Sequence, residues 1–141
     1  MWKEIKNEED IKKVMMLYNN FHDSCIRDIY ISTSDYVDKD LNMHFDNKST
    51  ASIIFQKQSK NYTVLELKFE GINHFNFKPM NHPYNGVIYD SIMKLENELF
   101  YWADSKDWEM EDIDSIWFSG KKLFYRFRTD ILGNIKRLED N

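Results

Sequence analysis

The sequence predicts an α+β fold: one N-terminal helix packed on a curved, mainly antiparallel sheet of about eight short strands. Three observations lead there. One apolar stripe at helical spacing occurs early in the chain and is not repeated. After it the pattern changes to short runs of alternating residues, bounded by polar turns. The connections between those runs are too short for parallel crossovers, which need a dozen or more residues and usually a helix. Composition agrees. Aromatic residues make up 16% of the chain, and rings suit a pleated, half-buried surface.

The helix is expected from about residue 8 to 20. Asn7 supplies a cap, and Glu8, Glu9 and Asp10 place negative charge in the first turn, where the helix dipole favours it. Ile11, Val14, Met15, Tyr18 and Phe21 form the stripe, and Lys12 and Lys13 fall off it. A first strand begins near Asp23–Tyr30. Thr33 to Asn42 reads as a polar loop, Met43–Asp46 as a short strand and Ser52–Gln58 as another. Val64–Glu70 alternates most cleanly, with Leu65, Leu67 and Phe69 buried and Glu66, Lys68 and Glu70 in water. Gly71 is expected to end it, and His74–Phe77 to start again. Two hairpins should follow: Val87–Leu95 with Leu99–Asp104, then Ile113–Ser119 with Leu123–Arg128 around Gly120. Residues from about 129 to 141 lack a clear period and read as a loose tail or a short helix. The 141 residues fit a single domain, with the sheet spanning about 24–128.

Composition bounds the function. The formal net charge of −5 argues against nucleic acid as a partner, because phosphate contacts need clustered Lys and Arg. No apolar run reaches the length of a membrane span. Cys25 is the single cysteine, so neither an intrachain disulfide nor a cysteine-based zinc site can form. The expected compartment is the cytosol, where such a thiol stays reduced. None of the commonest nucleotide, metalloprotease, hydrolase or redox motifs is present, and no cofactor is expected.

Three groups of residues invite a functional reading. The stretch Phe21-His22-Asp23-Ser24-Cys25 holds the types used in nucleophilic catalysis, with Cys25 as nucleophile and His22 as base. Consecutive residues on an extended chain point to opposite faces, so the plainer reading is a helix exit. There Phe21 packs, Asp23 or Ser24 bonds the turn and Cys25 fills core. His22, Asp23 and Cys25 remain the candidate site for a small-ligand or metal-dependent enzyme. His22, His44, His74 and His82 lack metal-ligand spacing, and no metal is expected.

The second group is an acidic loop: Asp104, Asp107, Glu109, Glu111, Asp112 and Asp114, with Lys106 against them. It lacks the calcium-loop pattern and its glycine. The plainer reading is a solvated loop. The functional one is a surface that attracts a basic protein partner, with Asp107, Trp108, Glu109, Glu111 and Asp112 as the contacts and an exposed Trp108 as anchor. The third group is the rings of the last two hairpins, Phe100, Tyr101, Trp102, Trp117, Phe118, Phe124, Tyr125 and Phe127. They form core and cross-strand pairs, or an exposed groove for a ligand or for a homo-oligomer. Arg126 and Arg128 could pair with acids or with phosphate.

Phe21-His22-Asp23-Ser24-Cys25-Ile26, Ile54-Phe55-Gln56-Lys57-Gln58 and Leu99-Phe100-Tyr101-Trp102-Ala103-Asp104 together resemble a group of small uncharacterised proteins of Firmicutes, from about Tyr18 to Arg128. That group has no assigned activity, so the resemblance carries no catalytic residue. The Phe21-His22-Asp23 start to a strand in a small acidic α+β chain is also loosely similar to immunity proteins of bacterial toxin systems. Together these readings favour a non-catalytic, immunity-like protein-binding module that shows an acidic loop to a basic partner. The enzyme and the oligomeric structural protein are the alternatives.

Overall fold

The computed structural model describes residues 1–79, 86–110, 112 and 114–133. Its elements, in order, are β1 (Lys3–Ile5), α1 (Glu8–Leu17), a 3-10 turn (Asn19–Phe21), β2 (Ser24–Ser32), β3 (Tyr36–Val37), β4 (Met43–His44), β5 (Thr50–Lys57), β6 (Val64–Asn76), β7 (Ile92–Glu96), β8 (Leu99–Ala103) and β9 (Trp117–Arg128). The fold class read from the sequence holds: one helix and a mostly antiparallel sheet.

Asn7 caps α1 as expected. Its Oδ1 accepts from Asp10 N–H at 2.9 Å, and the Asp10 carboxylate accepts from Lys6 N–H at 2.8 Å. The helix stops at Leu17, short of residue 20, because the backbone turns left-handed at Asn19, Asn20 and Phe21 (φ 51°, 52° and 59°) and again at Asp23 (φ 57°). Asparagine tolerates that region, whereas a bulky phenylalanine is strained in it. Burial offsets the strain. The Phe21 ring is fully buried, 4.8 Å from Phe55, 5.0 Å from Tyr18 and 5.6 Å from Trp102.

The main sheet has seven strands in the order β2-β5-β6-β9-β8-β7, with β1 as an additional partner of β9. Every pairing is antiparallel. The free edge of β9 is shared. Residues 123–125 pair with β1, and residues 117–120 pair with β8. One isolated bridge, Ser24 with Ile88, ties the start of β2 to the segment that precedes β7. On the helix side, Ile53, Phe55, Leu65, Leu67, Phe69, Leu123 and Tyr125 pack on Ile11, Val14, Tyr18 and Phe21.

Several boundaries differ from the sequence reading. Gly71 does not end β6, which bends at a register shift between Ile72 and His74 and runs on to Asn76. Gly120 is no hairpin turn. It lies inside the continuous β9, opposite Ile72 and Phe100, where a Cβ would stand 3.2 Å from Phe69. Residues 33–42 are not all loop, since Tyr36–Val37 pairs with Met43–His44 in a separate two-stranded sheet. The first apolar hairpin begins at Ile92 rather than Val87, and β1 had no counterpart in the reading.

The outer face of the sheet is also covered in part. Ile54, Val64 and Ile131 form a small cluster there, and Tyr101, Ala103, Trp108 and Trp117 form a larger one. Glu66, expected in water, is 2% exposed.

Candidate functional site

The stretch that begins β2 is a helix exit. Ser24 is buried and its hydroxyl donates to the Phe21 carbonyl at 2.6 Å, closing the left-handed turn. His22 is exposed. Its Nδ1 donates to the Tyr89 carbonyl at 2.5 Å and its Nε2 lies 3.3 Å from the Asp23 carboxylate. Both ring nitrogens are therefore directed at groups other than Cys25. Cys25, on β2, pairs with Gln56 of β5 and is exposed, contrary to the expected core position. A nucleophile needs its base within hydrogen-bond reach, and His22 does not supply that reach to Cys25. The remaining histidines are dispersed. His44 pairs with Asp38 at 2.7 Å, His74 stacks on Trp117 at 4.1 Å, and His82 lies outside the described residues. Among the described residues no group of three His, Cys, Asp or Glu could hold a metal ion.

The acidic loop joins β8 to β9. Its local order begins with short polar side chains that bond backbone groups at turns. Ser105 Oγ accepts from Asp107 N–H at 3.3 Å, and the Ser105 carbonyl accepts from Trp108 N–H at 3.1 Å. Asp112 Oδ1 accepts from Asp114 N–H at 3.1 Å, and Asp112 Oδ2 accepts the Ser115 hydroxyl at 2.7 Å. These bonds hold the Asp112 carboxyl below the usual carboxylate range. Asp104 behaves oppositely. Burial raises its carboxyl, the Ile116 N–H partly counters this, and the nearby Asp112 charge adds to the rise.

Trp108 corrects the sequence reading. It is 3% exposed and cannot be a solvent-facing anchor. Its indole packs 5.0 Å from Trp117 and 5.8 Å from Tyr101, with Lys94 Nζ 4.9 Å from the ring centre. Burial of a ring this size contributes a few kcal/mol. Trp108 therefore fixes the loop to the outer face of β8 and β9. Around it Asp107, Glu109, Asp112 and Asp114 remain exposed, together with Met110. Lys78 pairs with Asp114 at 3.1 Å. Glu111 lies outside the described residues.

The rings of the last strands form no open groove. Phe100, Tyr101, Trp102, Trp117, Phe118 and Tyr125 are buried, and Phe124 and Phe127 are half-buried. Phe100 and Trp102 face the main core while Tyr101 faces Trp108 and Trp117. The rings offered as one alternative contact for a homo-oligomer are thus buried or half-buried within the chain. Arg126 and Arg128 pair with an acid: the Glu66 carboxylate lies 2.7 Å and 3.2 Å from them.

Two surface features were missed in whole or in part by the sequence reading. One is the β3–β4 hairpin, whose apolar side chains are exposed. A signal for it was present in Tyr36-Val37 and Met43-His44, which flank an Asp- and Asn-rich turn. The other is a recess of about 390 Å³ beside Lys48, Ser49, Gly71, Lys121 and Lys122, with Glu70 on the same wall. No helix among the described residues is long and apolar enough to cross a membrane. In comparisons with known proteins, no family model, curated protein or solved structure matches the chain.

Proposed function

We propose that the chain is a non-catalytic, immunity-like protein-binding module that presents a fixed acidic loop to a basic partner. The observation that carries this reading is the burial of Trp108 beneath exposed Asp107, Glu109 and Asp112. A loop pinned by its own tryptophan loses little freedom on binding, so its charges act at small entropic cost. Clustered charge of one sign raises the encounter rate with an opposite surface and discriminates among partners. In this reading Trp108 orders the contact surface from beneath, and the acids make the contact.

The test is affinity capture from the native host with the full chain and with the Asp107→Lys/Glu109→Lys variant. Both side chains are exposed, so the variant keeps its fold. The expected result is a basic protein retained by the unaltered chain, lost with the variant and released as salt rises to roughly 0.5 M, where exposed charges are screened. Retention that is indifferent to charge reversal and to salt overturns the proposal.

A further inference from the structure

The connection between β2 and β5 carries a concentration of apolar surface that the core does not use. On the β3–β4 hairpin and its flank, Leu41 is 84% exposed, Phe45 69%, Met43 64%, and Tyr36 and Val37 53% each. Single exposed apolar residues are ordinary, but a contiguous group marks a contact surface.

The hairpin is nevertheless well built. Asp38 Oδ1 accepts from the N–H groups of Asp40 and Asn42 at 2.9 Å and 3.0 Å, and its other oxygen lies 2.7 Å from His44 Nε2. The His44 bond, helped by these N–H groups, keeps the Asp38 carboxyl below its ordinary range. Tyr36 stacks on His44 at 4.7 Å, and the base is tied by Ser34 Oγ to the Lys48 carbonyl at 2.8 Å. A two-stranded ribbon is marginal alone. Polar bonds and one stacked pair hold this one, and Val37, Leu41, Met43 and Phe45 are left to water.

Charge decides what would cover them. Between Asp35 and Asp46 four aspartates, Asp35, Asp38, Asp40 and Asp46, stand against Lys39. A second copy would bring aspartates against aspartates, which is repulsive, whereas a basic surface is complementary. Topology places the hairpin and the acidic loop at the same end of the sheet, three strands lying between the β2 and β8 from which they leave. Ser32 pairs with Thr50 and Thr50 with Glu70, and β6 runs on from there to Asn76, which pairs with Trp117, itself paired with Ala103. Both connections therefore leave the end of the sheet towards which β6 runs.

We infer that the β3–β4 hairpin is the apolar anchor of the partner surface, with Leu41, Met43 and Phe45 seated in an apolar groove rimmed by Lys and Arg on a basic protein. The inference rests on the protein-binding reading above and assigns to these side chains the part that Trp108 cannot play. Interfaces draw most of their affinity from a few desolvated apolar anchors, with charged groups at the rim setting rate and specificity.

The experiment places p-benzoylphenylalanine, a photo-crosslinking residue, at Leu41 in one full-length variant and at Glu109 in another, in the native host. The expected result is the same basic protein cross-linked from both positions. Purified, that protein should bind the Met43→Ser/Phe45→Ser variant at least about tenfold more weakly than the unaltered chain. The thermal melts of the two chains should coincide, because neither side chain is packed. Cross-linking of Leu41 to a second copy, to an acidic protein or to nothing, while Glu109 still captures a basic protein, overturns the hairpin inference alone. Absence of a basic protein from both positions overturns it together with the acidic-loop reading.

Discussion

Glu66 and Arg126 face each other across β6 and β9, 2.7 Å apart, with the carboxylate buried and the guanidinium reaching solvent. Arg128 approaches the same oxygen at 3.2 Å, the Ser52 hydroxyl donates to the other oxygen, and Arg128 is itself paired with Asp130. Removing one partner of such a set leaves buried charge uncompensated. Glu66→Ala should destabilise the protein by roughly 3 kcal/mol, the lower end for a buried pair because Arg126 keeps some water. The urea midpoint at neutral pH measures it, and a change within error would show that solvent compensates the arginines.

Trp108 should matter to stability and loop order together. Trp108→Ala should cost about 3–5 kcal/mol, as truncation of a buried tryptophan does. Hydrogen exchange should rise in the segment around Ser105 and Ser115 before it rises in β5 or β6. The indole N–H is buried without an acceptor among the described residues, so Trp108→Phe sacrifices packing and no hydrogen bond. That variant should lose less than about 2 kcal/mol and keep the loop protected.

Asp104 gives a pH signature of definite sign. Burial raises its carboxyl in the folded chain, so the folded state holds the proton to higher pH than the unfolded state does. Its contribution is most favourable below the unfolded value of about 3.9 and is lost as pH rises through the folded value. Asp104→Asn should therefore raise the denaturation midpoint at pH 7, and the gain should fade as pH drops to about 4. Denaturation curves across that range check it. A gain that is constant with pH would place the cause outside ionisation.

Gly120 lies against Phe69 within the continuous β9. Gly120→Ala should cost about 1–3 kcal/mol through overpacking of that ring. A glycine in an open turn would tolerate alanine at much smaller cost. Pairing it with Phe69→Leu should recover part of the loss, which a double-mutant cycle reads directly.

Local chemistry made much of this fold legible. The helix start was written in Asn7 and three following acids, and the β6 core in the alternation of Leu65, Leu67 and Phe69. What failed was set by contacts distant in sequence. Gly71 and Gly120 look like strand breaks, yet one carries a φ of +64° beside the Lys121 stem and the other makes room for Phe69. Trp108 among acids looks exposed, and only the rings of Tyr101 and Trp117 bury it. Glu66 falls on the face that alternation assigns to water, and its cover comes from arginines sixty residues on. The β3–β4 hairpin was legible only in its second strand, read as Met43–Asp46. Tyr36-Val37 fell into the expected loop because its side chains face solvent and no buried face sets a period there.

The division of one edge of β9 between β1 and β8 has a consequence for how the molecule assembles. Lys3, Glu4 and Ile5 meet Tyr125, Phe124 and Leu123, so β1 waits for a partner that lies far along the chain. Until then Ile5, fully enclosed in the finished protein, has no strand to lie against. Pairings this remote in sequence are slow to close. The docking of β1 is expected to be a late event in folding, and a chain truncated before Leu123 should leave residues 3–5 open to a protease.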